Sequence, residues 1–213
     1  RLGDEIHHLS EVHMNKRGDM IIVKENYDGP EVFLVNKADG NIIQRFGKVS
    51  QVKYLSARKM AYPVISPDGQ KIAFVRLKEG PVSSTFQFTV SFEGIVVYDR
   101  NGNLLAELTG YSQPEWLNDG RLLCAGLGSA QYNFNKYPGI TDKYGIYLFD
   151  ASLTKAKRID NGRADAHNPS VSPDNKMIAF TSYDKERQAD ALFVANIDGS
   201  NLKMISYAFP SEK

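Results

Sequence analysis

Short apolar runs recur down the chain, each set against a tight polar turn. Met20-Ile21-Ile22-Val23, Ile72-Ala73-Phe74-Val75, Leu122-Leu123-Cys124-Ala125 and Ile178-Ala179-Phe180 are the clearest. Each follows a turn cluster of Pro, Asp, Asn or Gly, and a further apolar run precedes each turn. Runs of this kind bounded by such residues predict strands joined in hairpins. The Gly or Asn in each turn supplies the positive φ that tight hairpins need.

The hairpins repeat. Pro63-Val64-Ile65-Ser66-Pro67-Asp68-Gly69-Gln70-Lys71-Ile72-Ala73-Phe74 matches Pro169-Ser170-Val171-Ser172-Pro173-Asp174-Asn175-Lys176-Met177-Ile178-Ala179-Phe180. Pro114 to Ala125 is a third copy, and Val12 to Val23 is a degraded first one. Their turn residues, Gly18, Gly69, Gly120 and Asn175, are spaced by 51, 51 and 55 positions. Each copy is followed by a second hairpin, as at Ile95-Val96-Val97-Tyr98 with Asn101-Gly102, and by a short outer strand such as Leu104 to Thr109. Four antiparallel strands in about 50 residues is the blade of a β-propeller. The expected fold is therefore all-β, with four-stranded antiparallel blades over 5–47, 60–109, 112–160 and 167–206 in a single propeller domain or partial propeller. Ile65, Trp116 and Val171 are expected to wedge between neighbouring blades. Ala73, Cys124 and Ala179 align at one position, where small side chains let sheets approach. That makes Cys124 a buried small hydrophobe rather than a nucleophile.

The string Ser-Pro-Asp-Gly-x-x-Ile-Ala-Phe resembles the WD-like repeat of TolB-like propellers, and the resemblance runs from about residue 12 to 206. It is strongest in the second and fourth repeats. The third keeps Trp116 but has Leu117-Asn118 in place of Ser-Pro. The motif implies a fold, and it recurs in periplasmic scaffolds, in gating domains of prolyl-oligopeptidase-like enzymes and in some polysaccharide lyases, so function has to be argued from sites. TolB-like propellers usually close with six or more blades. Four blades predict part of a larger ring, with self-association possible if the ring is open. Tyr207-Ala208-Phe209-Pro210 resembles the start of another inner strand. The chain begins Arg1-Leu2-Gly3-Asp4, without an initiating Met, which predicts a processed or trimmed product. With the resemblance, this suggests an extracytoplasmic setting, periplasmic or secreted.

Composition narrows the partners. Of 213 residues, 26 are Lys or Arg and 25 Asp or Glu, for a net charge of +1. That balance lacks the basic excess of a nucleic-acid binder, and the cluster Lys53, Arg58, Lys59 reads as a solvated loop. The one cysteine allows no internal disulfide. No apolar run approaches the roughly 18 residues of a membrane span.

No catalytic constellation emerges. His7, His8, His13 and His167 have no metal-ligand spacing, and no metal or cofactor is expected. There is no nucleophile elbow; Gly126-Leu127-Gly128-Ser129 only echoes one. Asp99-Arg100-Asn101-Gly102-Asn103 reads as a hairpin turn, since it lacks the bidentate Glu of a calcium loop. His167 stands apart because it falls at the start of an inner strand, near a propeller axis.

The repeats depart from their pattern in two insertions. One covers about Leu77 to Glu93, with Phe86, Phe88 and Phe92. The other covers about Leu127 to Tyr144, with Tyr132, Phe134, Tyr137 and Tyr144. The link from Gly47 to Tyr62 is also long. Aromatic side chains on long loops suit contact surfaces. The candidate binding residues are Tyr54, Arg58, Tyr62, Tyr132, Phe134, Tyr137 and His167. They predict a non-catalytic binding or scaffold propeller for a protein or glycan partner. The alternative is the propeller portion of an enzyme, either a peptidase gate or a lyase.

Overall fold

A computed structural model of the chain describes residues 9–15, 17–26, 29–36, 38–46, 60–79, 90–126, 145–163, 165–184 and 186–207. These form sixteen strands in four antiparallel sheets of four, each in sequential order, and no helix. The first blade comprises β1 (Leu9–Met14), β2 (Asp19–Asn26), β3 (Gly29–Asn36) and β4 (Ile42–Phe46). The second comprises β5 (Met60–Ile65), β6 (Lys71–Glu79), β7 (Val90–Asp99) and β8 (Leu104–Thr109). The third holds β9 (Tyr111–Trp116), β10 (Leu122–Gly126), β11 (Gly145–Phe149) and β12 (Ala156–Arg158). The fourth holds β13 (His167–Val171), β14 (Met177–Asp184), β15 (Ala189–Asn196) and β16 (Lys203–Tyr207). The fold is the β-propeller blade of the sequence reading. The chain divides into two compact units, 1–109 and 110–213, with two blades in each.

The first-hairpin turns are of two lengths. In blades two and four the turn closes over six residues: Ser66 N–H donates to Lys71 O, and Ser172 N–H to Met177 O. The serine hydroxyl takes up the extra residue. Its Oγ accepts from Lys71 N at 2.8 Å in one case and from Met177 N at 3.0 Å in the other. Blades one and three lack that serine and close over five residues, Asn15 N–H to Asp19 O and Leu117 N–H to Arg121 O.

One residue less in a turn moves every following side chain to the other face of the sheet. The alignment of Cys124 with Ala73 and Ala179 is thereby corrected. Ladder partners show the true register: His13 faces Ile21, Val64 faces Ala73, Glu115 faces Leu123 and Ser170 faces Ala179. Leu123 is the counterpart of Ala73 and Ala179, while Cys124 corresponds to Phe74 and Phe180. Cys124 is buried, as expected, with its Sγ 3.8 Å from Tyr147 O.

With this register the packing within each unit is regular. In the first unit, Ile21, Val32, Leu34 and Phe46 of blade one meet Ile65, Ile72, Phe74 and Val96 of blade two in one buried cluster. Phe46, Phe74 and Tyr98 pack there in tilted and edge-to-face contacts with centroids 5.8 to 6.2 Å apart. In the second unit, Leu123, Ala125, Ile146 and Leu148 of blade three receive Ile178, Phe180, Ala191 and Phe193 of blade four. Ile65 sits inside the first cluster and Val171 packs on the second. Both therefore act as the wedges their sequence position suggests, and Trp116 is buried. Burying large apolar side chains at about 25 cal/mol per Å2 makes these seams the main stabilising feature of each unit.

The insertion of the second repeat is shorter than the sequence suggests. Leu77, Lys78 and Glu79 pair with Phe92, Ser91 and Val90, so both ends of that segment continue the strands. No helix of the described residues is long and apolar enough to cross a membrane.

Candidate functional site

The inner strands carry a shared irregularity. In each of blades two, three and four the ladder slips where an X-Pro dipeptide stands: Tyr62-Pro63, Gln113-Pro114 and Asn168-Pro169. Proline has no N–H to give a ladder, so it belongs at a bulge or an edge. Gln113 and Asn168, the residues before the proline, have φ of 53° and 51°. This left-handed backbone is uncommon for residues with a side chain, amides being among the better tolerated. Such strain persists only where the surroundings hold it, and it gathers at functional sites.

In the second unit those surroundings are two amide side chains that clasp each other across neighbouring blades. Gln113 Nε2 donates to Asn168 Oδ1 at 2.6 Å, and Asn168 N–H donates to Gln113 Oε1 at 2.7 Å. Asn168 Nδ2 also reaches Thr181 Oγ1 at 3.4 Å. The Thr181 hydroxyl donates to His167 O at 3.1 Å, tying β14 to β13. Asn168 is exposed, and Gln113, His167 and Thr181 are half-buried.

His167 is oriented by its own loop. Its Nδ1 lies 2.6 Å from Asp165 O, and Asp165 is itself left-handed at φ 52°. A carbonyl oxygen only accepts, so Nδ1 carries a proton and donates it, and Nε2 faces away from that bond. Each clasping amide keeps one N–H and oxygen lone-pair capacity beyond the clasp. The result is a half-exposed edge of donors and acceptors. Such an edge can pair with the backbone of an extended peptide or with sugar hydroxyls. Among the described residues no group of three or more His, Cys, Asp or Glu is placed to hold a metal ion.

Of the residues singled out by sequence, His167 belongs to this edge. Tyr62 occupies the same bulge position in blade two; its backbone lies in β5, and its side chain lies outside the described residues. Tyr54, Arg58, Tyr132, Phe134 and Tyr137 lie outside the described residues, as do His7 and His8. Sequence reading missed Gln113 and Asn168. Their signal was the proline that follows each, at one register position of successive repeats.

Of two other polar clusters, one joins blades and one closes a single turn, and neither forms an open site. Arg100 donates to Gly69 O at 3.1 Å and to Asp19 Oδ1 at 3.2 Å, linking the blades of the first unit. Asp99, in the sequence that faintly suggests a calcium loop, caps its own turn. Its oxygens accept from Asn101 N, Asn103 N and Asn103 Nδ2 at 2.7 to 2.8 Å, and the Asn103 amide leads in holding its carboxyl below the ordinary range.

No protein-family model matches the chain, and no curated protein does. Its likeness is to solved propellers. The putative TolB from Agrobacterium tumefaciens superposes with a TM-score of 0.57 at 17% identity, covering 93% of this chain and 62% of that one. The β-propeller domain of the Trilobed protease from Pyrococcus furiosus gives 0.59 at 13% identity, covering 94% and 57%. A chain in the complex of KlAtg21 with the coiled coil of AgAtg16 gives 0.58 at 14% identity, covering 95% and 57%. At these identities the likeness establishes the fold, a β-propeller. The chain spans about three fifths of the length of each of these chains.

Proposed function

We propose that this chain is a non-catalytic binding or scaffold module that engages a protein partner at the inner-strand edge formed by Gln113, His167 and Asn168. The observation that carries this reading is the clasp of Gln113 and Asn168. Two residues of left-handed backbone, one exposed and one half-buried, hold their amides in a fixed place at the bulges of successive inner strands, where hydrogen-bonding capacity remains open. Amide donors and acceptors on successive inner strands suit a peptide backbone. One chain of similar fold is solved in complex with a coiled coil. Tyr62 shares the bulge position in blade two, and Tyr54, Arg58, Tyr132, Phe134 and Tyr137 are proposed as further binding residues on the sequence alone. The resemblance to TolB-like propellers favours an extracytoplasmic setting.

A glycan is the second ligand class this edge accommodates. Titrating the isotope-labelled chain with short extended peptides and with neutral oligosaccharides separates the two. Shifts at the His167, Gln113 and Asn168 signals on peptide addition, lost in the Gln113→Ala, Asn168→Ala double variant, support the reading. Shifts with sugars alone transfer it to glycans.

A second reading is the propeller portion of an enzyme, favoured by the likeness to a protease propeller domain. Turnover of a peptide or polysaccharide by the purified chain, abolished in His167→Ala, would overturn the non-catalytic reading.

A further inference from the structure

Glu115 stands two residues beyond Gln113 on β9, about 7 Å along the strand, and pairs with Leu123 of β10. The matching places in blades one, two and four hold His13, Val64 and Ser170. A carboxylate there is peculiar to the blade that supplies Gln113. Its side chain is half-buried, and among the described residues it has neither a hydrogen bond nor an ion pair. Neither of its oxygens is sealed from the surface. The strands β10 and β13, which pack against β9, bring no Lys or Arg. The arginines of the same blade are engaged elsewhere, Arg121 with Asp119 at 2.8 Å and Arg158 with Asp160 at 2.6 Å. Burial pushes the Glu115 carboxyl up, and no nearby charge offsets it.

We infer that the partner of this edge is an extended basic segment, which sets a Lys or Arg side chain against Glu115 while its backbone engages the Gln113–Asn168 clasp. This rests on the binding role of the clasp. A half-desolvated carboxylate without a partner costs the free chain stability. A local cost with no compensation inside the fold points to use outside it. A cation from the partner supplies the missing charge, and the pair gains from being partly shielded from water. The spacing fits as well. Side chains on one side of an extended segment recur about every 7 Å, which is the step from Gln113 to Glu115 along β9. The free protein therefore bears a penalty that the complex removes, as binding sites commonly do at the expense of stability.

Calorimetric titration of the whole chain at neutral pH and low salt tests this. The probes are blocked pentapeptides, Val-Thr-Lys-Thr-Val and its counterparts with norleucine or Glu at the centre. The Lys peptide is expected to bind about tenfold more tightly than the norleucine peptide, and the Glu peptide more weakly than either. Glu115→Gln is expected to erase the Lys preference and at the same time to raise the midpoint of urea unfolding, because the variant loses an unmet charge. A folding defect cannot produce that pair of results. Glu186→Gln removes the same charge from an exposed place in blade four and is expected to keep the preference, which separates contact with Glu115 from general attraction. Equal affinity for all the peptides, still lost in the Gln113→Ala, Asn168→Ala double variant, overturns the inference and leaves the clasp as a peptide site. A Lys preference that survives Glu115→Gln overturns it too, as does a Glu115→Gln variant less stable than the parent, which would give the carboxylate a partner within the chain. Absence of binding by every peptide overturns both the inference and the binding role of the clasp.

Discussion

The side-chain amide of Asn15 donates to the carbonyl of Ser66, 3.1 Å away and 51 residues along the chain. The same amide's oxygen accepts from Arg17 N and Asp19 N, each at 3.0 Å. One buried residue thus shapes the turn of blade one and fastens it to the turn of blade two. In the second unit Asn118 donates to Pro173 O at 3.1 Å from an exposed position.

Burial separates the two amides energetically. Removing Asn15 leaves the N–H groups of Arg17 and Asp19 without their partner and takes one of two donors from the buried Ser66 carbonyl, which keeps Gly69 N–H at 2.8 Å; each unmet buried group costs about 1–3 kcal/mol. Asn15→Ala is expected to lower unfolding stability by about 2 kcal/mol. Asn118→Ala is expected to cost about 0.5 kcal/mol, because water replaces the lost bond. Urea unfolding of both variants checks this, and equal losses would contradict it.

Blades, strand order and the apolar seams were legible in the sequence, because the alternation and the turn residues Gly18, Gly69, Gly120 and Asn175 are local signals. The register of blades one and three was not. Aligning the turn glycines hides whether a turn closes over five residues or six, and that difference is decided by whether a serine hydroxyl, as in Ser66, can cap the extra residue. The amide clasp was also invisible, since Gln113 and Asn168 meet only when neighbouring blades stack. His167 was found because its position relative to the inner-strand proline is a local feature.

The serine that sets the six-residue turn makes its own prediction. Ser66 is buried, and its hydroxyl donates to Asp68 Oδ1 at 2.5 Å while accepting from Lys71 N. Ser66→Ala is expected to cost about 1–2 kcal/mol. Ser172, whose equivalent bonds are more exposed, is expected to matter less on substitution by Ala. Parallel denaturation curves rank the two.

In blade three, Asp160 is fully buried and receives Arg158 Nε at 2.6 Å and Nη2 at 3.1 Å. It also accepts from Ile146 N at 3.3 Å and Gly162 N at 3.1 Å. Arg158 is about a third exposed, at 35%, so water can meet its guanidinium, but removing the buried carboxylate leaves the Ile146 and Gly162 N–H groups unmet and costs about 1–3 kcal/mol. Asp160→Asn is expected near the lower end of that range, since the amide oxygen still accepts, and Asp160→Ala near the upper end. Gly145 explains why this bracket fits. Its φ is +133°, and a Cβ there would stand 2.6 Å from both Arg158 Nε and Asp160 Oδ2. Gly145→Ala is therefore expected to destabilise the chain as well, and thermal melts that match wild type would show that the bracket bears little load.

His13 and Glu115 hold the same place, two residues before the turn opens in the two blades with short turns, and burial pushes each toward its neutral form. The His13 pKa is lowered and the Glu115 pKa is raised, both by desolvation. The signs follow from linkage. A raised carboxyl pKa favours the fold fully below the ordinary Glu value, and that contribution is lost as pH rises through the raised one. A lowered imidazole pKa favours the fold above its ordinary value of 6.5, and that contribution is lost as pH falls below it. Glu115→Gln is expected to stabilise the chain at neutral pH and to have no such benefit at a pH below about 4, where the carboxyl is protonated in both states. His13→Gln is expected to flatten the loss of stability that begins as pH drops through about 6.5. Stability measured by urea unfolding across pH 3 to 8, on about ten buffers, tests both signs at once. A Glu115→Gln variant that loses stability at neutral pH would mean that the carboxylate has a cationic partner in solution, and the burial account of its pKa would then be wrong.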